Sequence, residues 1–161
     1  METASLLSDA GIAVTVLPAT DLFLMGRQND HSVPRGVAPA HLLSKAGICC
    51  TVATNNVLNP FTPFGDCSLP RMANLFANVA QLGTWDDLNL CFAMVSDNPL
   101  RLMKRDSPIS TGSPATFVLL NSNSPAEAIA EIARPLWGMK DGQVTFQCPA
   151  PTLCTPTLHR S

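Results

Sequence analysis

The sequence predicts an α/β fold in which helices lead into short, buried, parallel strands. Two stretches share the frame LLSxAGIxxTV, at 6–16 and 42–52, with an offset of 36 residues. In each, a helical segment meets a glycine and then a continuously apolar run, which is typical of a strand covered on both faces of a parallel sheet. Hydrophobic residues make up 46% of the 161 residues and charged residues 14%, which is enough to build an apolar core.

Local signals place the elements of the first two thirds of the chain. The first strand is predicted at 12–17, where Pro18 ends it, and the second at 48–54. The stretch 18–37 between them is predicted to be mainly loop. Helices are predicted at the positions with helical spacing of apolar residues or with capping signals, namely 38–46, 71–82, 85–95 and 96–105.

Beyond Arg105 the sequence signals change from helices to turns and short strands. We predict a strand at 116–120, a short helix at 125–133 and a hairpin around Asp141-Gly142. The tail from Cys148 is rich in proline and threonine, which favours disorder. The sequence therefore predicts three regions: 1–105, 106–147 and 148–161.

Charge and cysteine usage limit the classes of partner. The net charge is −2 and the ten basic residues form no cluster, which argues against nucleic acid or a membrane surface. No apolar run approaches the ~18 residues of a membrane span. The six cysteines include no CxxC, and Cys49 and Cys50 are adjacent in an apolar run. That pattern favours buried thiols in a reducing, cytoplasmic setting.

Several blocks along the chain carry a family resemblance. They read PATDLFLMGR, VPRG, TNNVLNPFTPFGD, SDNPLRLM and TGSPATFVLLN. In this order and spacing they resemble the C-terminal part of cytosine-deaminase-like members of the amidohydrolase superfamily. The resemblance implies a partial (β/α)8 barrel, made of its last two strands with their helices, followed by a small β-rich segment of the family's β-sandwich.

The resemblance also implies a chemistry. Full-length relatives hold a divalent metal, zinc or iron, and use it to activate water for hydrolysis of a non-peptide C–N bond in a small nitrogen heterocycle. Their metal ligands include an HxH pair, a later histidine and an aspartate after the eighth strand. This sequence contains no HxH. We therefore expect the chain by itself to bind no metal and to be inactive.

The resemblance places five residues at the site. Asn55 takes the position of the aspartate that binds metal and accepts the proton of water, and an amide accepts no proton near neutral pH. Asn56, Phe61, Gly26 and Arg27 take substrate-binding positions. The residues alone favour a different interpretation, in which the asparagines end a strand and begin a turn. Whether Asn55 is a trait of a subgroup or a sign of decay stays open.

Two other interpretations stay open beside the hydrolase lineage. One is a non-catalytic interaction module, or half-barrel, that self-associates or pairs with another chain through its open barrel edges. The other is a truncated or mis-assembled gene product with little function. A partner that supplies the remaining strands would complete a site for a small heterocycle.

Overall fold

The computed structural model describes residues 2–105, 109–149 and 151–152, which form two compact units. The first unit combines residues up to 105 with Ser122–Ala133, and the second combines Ile109–Asn121 with the described residues from Arg134 onward. The elements of the first unit are α1 Glu2–Asp9, β1 Val14–Val16, α2 Pro18–Leu24, α3 Ala40–Lys45, β2 Cys50–Val52, α4 Leu69–Val79, α5 Trp85–Ala93, α6 Asp97–Leu102 and α7 Pro125–Ala130.

The repeated frame in the sequence forms two equivalent helix–strand units. Gly11 and Gly47 follow α1 and α3 with φ of +62° and +90°, the left-handed conformation that ends helices. In both helix–strand repeats the backbone amide after the glycine donates to a carbonyl of the helix. Ile12 donates to Leu7 at 2.9 Å and Ile48 donates to Leu43 at 3.1 Å. The sequence prediction of glycine-terminated helices is confirmed at both places.

The 36-residue offset is also the register of the parallel sheet. Val14 pairs with Cys50, Thr15 with Thr51 and Val16 with Val52, so equivalent positions of the two copies lie side by side. The hydroxyls of Thr15 and Thr51 are 2.7 Å apart. The two predicted strands are therefore present and parallel, each shorter than its apolar run.

The core of the first unit lies between β2 and the helices. All three residues of β2 are buried, and α4 presents Met72 and Phe76 toward it. Cys50 and Cys91 are fully buried thiols within this core. Burial raises the pKa of each to about 11, with Cys49 adding to the effect at Cys50. Both thiols are therefore protonated near neutral pH and serve as small apolar packing groups.

The outer edge of β2 is closed by the chain itself. The Val52 amide donates to the Met94 carbonyl at 3.0 Å, and the Asn98 side-chain amide donates to the Cys50 carbonyl at 2.8 Å. Asn98 is 8% exposed. The junction of α5 and α6 thus occupies the place of a neighbouring strand and satisfies backbone groups that would otherwise be unpaired.

The segment after β1 differs from its predicted loop. Pro18 opens α2, because a proline tolerates the first turn of a helix, where its missing N–H has no partner to lose. Thr20 on this helix is buried against the loop that follows β2. The other predicted helices are present, with ends shifted by a few residues.

The second unit is a three-stranded antiparallel sheet in the order β3–β4–β5. Its strands are β3 Phe117–Leu120, β4 Pro135–Lys140 and β5 Gln143–Gln147. The predicted hairpin is present: Asp141 and Gly142 both have positive φ, 50° and 79°, as a tight two-residue turn requires.

The predicted boundary near residue 105 follows sequence order, and the compact units do not. Helix α7 lies between β3 and β4 in sequence, yet it belongs to the first unit. The Asn74 side-chain amide on α4 donates to the Ile129 carbonyl at 2.9 Å and Ile129 is fully buried, which explains the assignment. Most of the tail that was predicted to be disordered lies outside the described residues. No helix in the described part of the chain is both long and apolar enough to cross a membrane.

Candidate functional site

The carboxyl ends of β1 and β2 lead into α2 and into the loop 53–68. Because the strands are parallel, both connections leave from the same edge of the sheet, where sites of α/β proteins are commonly built. A buried hydroxyl pair, Thr20 Oγ1 and Thr62 Oγ1 at 2.9 Å, joins the two connections. The edge is therefore a single, tied structure and not two independent loops.

Asn55 sits where the strand region turns into this loop. Its φ is +54°, a left-handed conformation that asparagine tolerates better than most residues, and it is exposed. Asn56 is half-buried, and its side-chain carbonyl accepts from the Asn59 amide at 2.9 Å. The Asn59 carbonyl in turn accepts from the backbone amides of Phe61 and Thr62. The Asn56 oxygen is thus committed to loop structure, and its amide nitrogen is the group that a ligand can use.

The other three predicted site residues are spread along the edge. The Phe61 ring is 58% exposed. The Arg27 guanidinium lies over the Phe23 ring, 4.6 Å from its centre, which is a cation–π contact. Arg27 is therefore engaged with the aromatic ring of its own connection.

Gly26 has a clear structural requirement. Its φ is +65°, and a Cβ there would lie 2.6 Å from Val33 Cγ1 and 3.0 Å from the Arg35 guanidinium. Arg35 reaches back across this glycine to donate to the Met25 carbonyl at 2.6 Å. Gly26 thus allows the segment containing VPRG to fold back onto the end of α2.

A cavity of about 340 Å³ lies between α2, the loop after β2 and α4. Of the five predicted site residues, Asn56 alone lines it. Sequence reasoning missed its aromatic walls, Phe23 and Phe64, whose ring centres are 5.8 Å apart and nearly perpendicular, at 86°. The available signal in the sequence was the Pro/Gly-rich loop that contains Phe64. The remaining lining residues are Ala19, Leu22, Thr54, Val57, Thr62, Gly65, Asp66, Cys67, Arg71, Met72 and Leu75.

The two charged residues of this cavity neutralise each other. Arg71 donates to Asp66 through two nitrogens, with Nη2 2.9 Å and Nε 3.1 Å from Oδ2. The Asp66 carboxylate also accepts from the Ser68 amide at 3.0 Å. The hydrogen bond from Arg71 is the main reason that the pKa of Asp66 lies below its usual value. The pair shapes the start of α4 and leaves no unpaired charge at the cavity.

The residues on this edge do not fit the divalent metal of the resembled family. Among the residues that the structure describes, no group of three or more histidine, cysteine, aspartate or glutamate side chains is close enough together to hold an ion. Asn55 and Asn56 offer amides, which are weak ligands. His41 lies on α3 against the Phe76 ring, and His31 is exposed beside Asp30. Neither histidine supplies a ligand cluster.

The architecture and the edge together define an α/β chain whose candidate site lies at the carboxyl ends of two parallel strands. A scan against protein-family models finds no match. The chain is 27% identical over 131 residues to a pterin deaminase of Rhizobium rhizogenes, covering 80% of this chain and 30% of the relative. It is 31% identical over 108 residues to an N-isopropylammelide isopropyl amidohydrolase of Pseudomonas sp. (strain ADP), covering 66% of this chain and 27% of the relative.

Solved structures match more of the chain. A 5-methylcytosine deaminase from Klebsiella pneumoniae, liganded with 5-fluorocytosine, matches with a TM-score of 0.88 at 26% identity, over 96% of this chain and 38% of that chain. An N-isopropylammelide isopropylaminohydrolase from Burkholderia multivorans matches in fold, with a TM-score of 0.74 at 19% identity over 91% of this chain and 34% of that chain. The predicted resemblance to cytosine-deaminase-like amidohydrolases is confirmed, since the chain matches part of a pterin deaminase, part of an isopropylammelide amidohydrolase and part of a 5-methylcytosine deaminase.

The matches are partial in length. The chain spans about 30% of the two curated relatives and 38% of the deaminase structure. All of these relatives are named as deaminases, amidohydrolases or aminohydrolases, which are enzymes that act on C–N bonds.

Proposed function

We propose that this chain is the portion of an amidohydrolase-type enzyme that lines the substrate side of a site for a small nitrogen heterocycle, where a non-peptide C–N bond is hydrolysed. The observation that supports this most strongly is the match to a 5-methylcytosine deaminase over 96% of the chain. Pterin deaminase and the isopropylammelide hydrolase, whose names also specify nitrogen heterocycles, point to the same substrate class.

In this proposal each site residue has a limited role. The Asn56 amide nitrogen donates a hydrogen bond to a ring carbonyl or ring nitrogen of the substrate, since its oxygen is already committed to Asn59. The exposed Phe61 ring covers a flat heterocycle. Gly26 and Arg27 belong to the opposite connection and border the same edge. Asn55 stands at the proton-acceptor position, where an amide cannot take a proton from water.

The chain by itself is expected to be inactive. In the resembled family a zinc or iron ion activates water. The described residues of this chain do not provide a ligand set for such an ion. In isolation, with zinc or iron added, the chain is expected to release no ammonia from cytosine, 5-methylcytosine or pterin above the buffer rate. Turnover that a chelator abolishes would contradict this expectation.

A chimera tests the proposal directly. The segment of the Klebsiella pneumoniae deaminase that matches this chain is replaced by residues 1–161, and a second version carries Asn55→Asp. Both are expected to bind 5-fluorocytosine, and the aspartate version is expected to deaminate 5-methylcytosine about a hundredfold faster, because it restores a proton acceptor. Asn89→Asp, at an exposed position on α5, is the matched control and should leave the rate unchanged.

Two results would reject the proposal. A folded chimera that fails to bind 5-fluorocytosine would show that this chain does not line the substrate site. Equal rates with asparagine and aspartate at position 55 would show that Asn55 does not stand at the proton-acceptor position.

One observation favours an interaction role as the second candidate. Val14 and Val16 direct their backbone groups toward β2, so those of Thr15 point outward, and no strand of the described residues pairs with that edge of β1. Because Met94 and Asn98 close the edge of β2, we propose that an added strand pairs with β1. Sedimentation of the wild-type chain and of Thr15→Pro tests this: association that the proline does not weaken would refute pairing through β1.

A further inference from the structure

We propose that the cavity between α2, the loop 54–67 and α4, which shares Asn56 with the proposed substrate edge, is a binding site for an uncharged aromatic molecule of one or two rings. The cavity shares Asn56 with the function proposed above, but the other four residues assigned to that function lie outside its lining. Variants of Phe61 and Phe64 therefore distinguish a failure of one proposal from a failure of the other.

The size and surface of the cavity argue for an apolar occupant. About 340 Å³ is roughly ten times the volume that one water molecule takes in the liquid, about 30 Å³. Its walls are largely aliphatic and aromatic side chains, among them Leu22, Phe23, Met72 and Leu75. Water gains few hydrogen bonds in such a space, whereas a small apolar molecule loses unfavourable contact with water on entering.

The charged side chains of the cavity are already paired, and so are several of its polar oxygens, which argues against a charged ligand. Asp66 and Arg71 bind each other, and the Asn56 oxygen accepts from Asn59. The Thr62 hydroxyl lies 2.9 Å from that of Thr20. A charged ligand would have to break one of these pairs or enter without an oppositely charged partner, and either course is costly.

The aromatic walls favour a ring. Phe23 meets Phe64 edge to face, and Arg27 covers Phe23 from outside. Phe64 remains 66% exposed despite this contact, so much of its ring is free to stack on another aromatic group. A flat ring placed against Phe64 would gain both burial and a stacking contact.

The walls are also held in place before any ligand arrives. The Thr20–Thr62 hydroxyl pair ties α2 to the loop, and the Asp66–Arg71 pair ties the end of the loop to α4. A site that is already shaped loses less conformational entropy on binding. The three walls therefore form one preorganised pocket.

The test uses indole as the probe on the full chain, followed by calorimetry and by saturation-transfer NMR. Wild type is expected to bind indole. Phe64→Ala should weaken binding about tenfold, since a stacked ring is lost. Trp85→Ala is the matched control: Trp85 is an aromatic residue of the same unit, similarly exposed at 65%, and outside the cavity lining, so binding should stay within about twofold. Phe61→Ala shows whether indole binds at the substrate edge instead of in the cavity.

A second variant and a second probe sharpen the result. Ala19→Leu, which fills the cavity from α2, should block indole while circular dichroism shows a folded chain. Indole-3-acetate, the same ring with a carboxylate, should bind at least about tenfold more weakly.

The proposal is overturned by any of four results. These are no binding of indole to folded wild type, equal affinity of Phe64→Ala and wild type, equal affinity for the charged probe, and loss of binding with Phe61→Ala alone. The last result would place the ring on the substrate edge instead. Sedimentation of wild type at the same concentration shows whether a second copy covers Phe64, and a dimer that indole does not dissociate would also overturn it.

Discussion

Replacing Asn98 by alanine tests how the outer edge of β2 is closed. The Asn98 side chain is 8% exposed, and its amide donates to the Cys50 carbonyl at 2.8 Å. Its backbone carbonyl also accepts from the Cys49 thiol at 3.6 Å, an interaction that alanine keeps. The substitution therefore removes one side-chain bond to the most buried strand of the first unit.

The structure sets the expected magnitude. The Cys50 residue is fully buried, so water does not readily replace the lost donor. Leaving a buried acceptor unsatisfied costs about 1–3 kcal/mol, and we expect the free energy of unfolding to fall by about 2 kcal/mol. Asn98→Asp should cost at least as much, because a carboxylate offers no donor to the carbonyl.

Urea unfolding followed by circular dichroism measures the change. Asn89→Ala on the exposed face of α5 is the matched control, with an expected loss below about 0.5 kcal/mol. If Asn98→Ala and Asn89→Ala unfold at the same urea concentration with equal slopes, the Asn98 bond does not close the edge of β2, and our account of that edge is wrong.

Two further predictions concern the connections at the candidate site. Gly26→Ala should destabilise the chain by about 1–3 kcal/mol, because of its positive φ and the close Val33 side chain, whereas Gly36→Ala, with open space around it, should change urea unfolding little. Arg71→Ala should raise the pKa of Asp66 toward its ordinary value in an NMR titration. In wild type the contribution of this exposed pair is present above the unfolded-state pKa and disappears as pH falls through the lower folded-state pKa. An unchanged titration would show that Ser68, and not Arg71, sets the Asp66 pKa.

Sequence reasoning reached the parts of the fold that short-range signals specify. Gly11 and Gly47 end their helices as predicted, because the left-handed conformation is a local property that glycine permits. The Asp141-Gly142 turn forms for the same kind of reason. Repetition of one local frame also produced the register, since equivalent residues such as Thr15 and Thr51 lie side by side.

Only part of the candidate site could be predicted from the sequence. The family resemblance indicated the edge after β2, and the structure places Asn55, Asn56 and Phe61 there. The cavity beside it was not predicted, because Phe23 and Phe64 are far apart in sequence and come together only through the folding of α2 against the loop. The sequence signals predict a loop at 18–37, because Pro18 is a plausible strand end. Helix α2, which starts at Pro18 and carries Phe23, was therefore not predicted.

By itself the sequence determined the glycine-terminated ends of α1 and α3, the parallel strand pair and the family resemblance, because these depend on residues close together or on motifs with fixed spacing. Only the tertiary structure decided that Asn98 closes β2, that α7 packs with the first unit and that the Asn56 oxygen is already bonded. Each of these depends on where a side chain meets a backbone group or another side chain after the chain has folded, and no local pattern records that meeting.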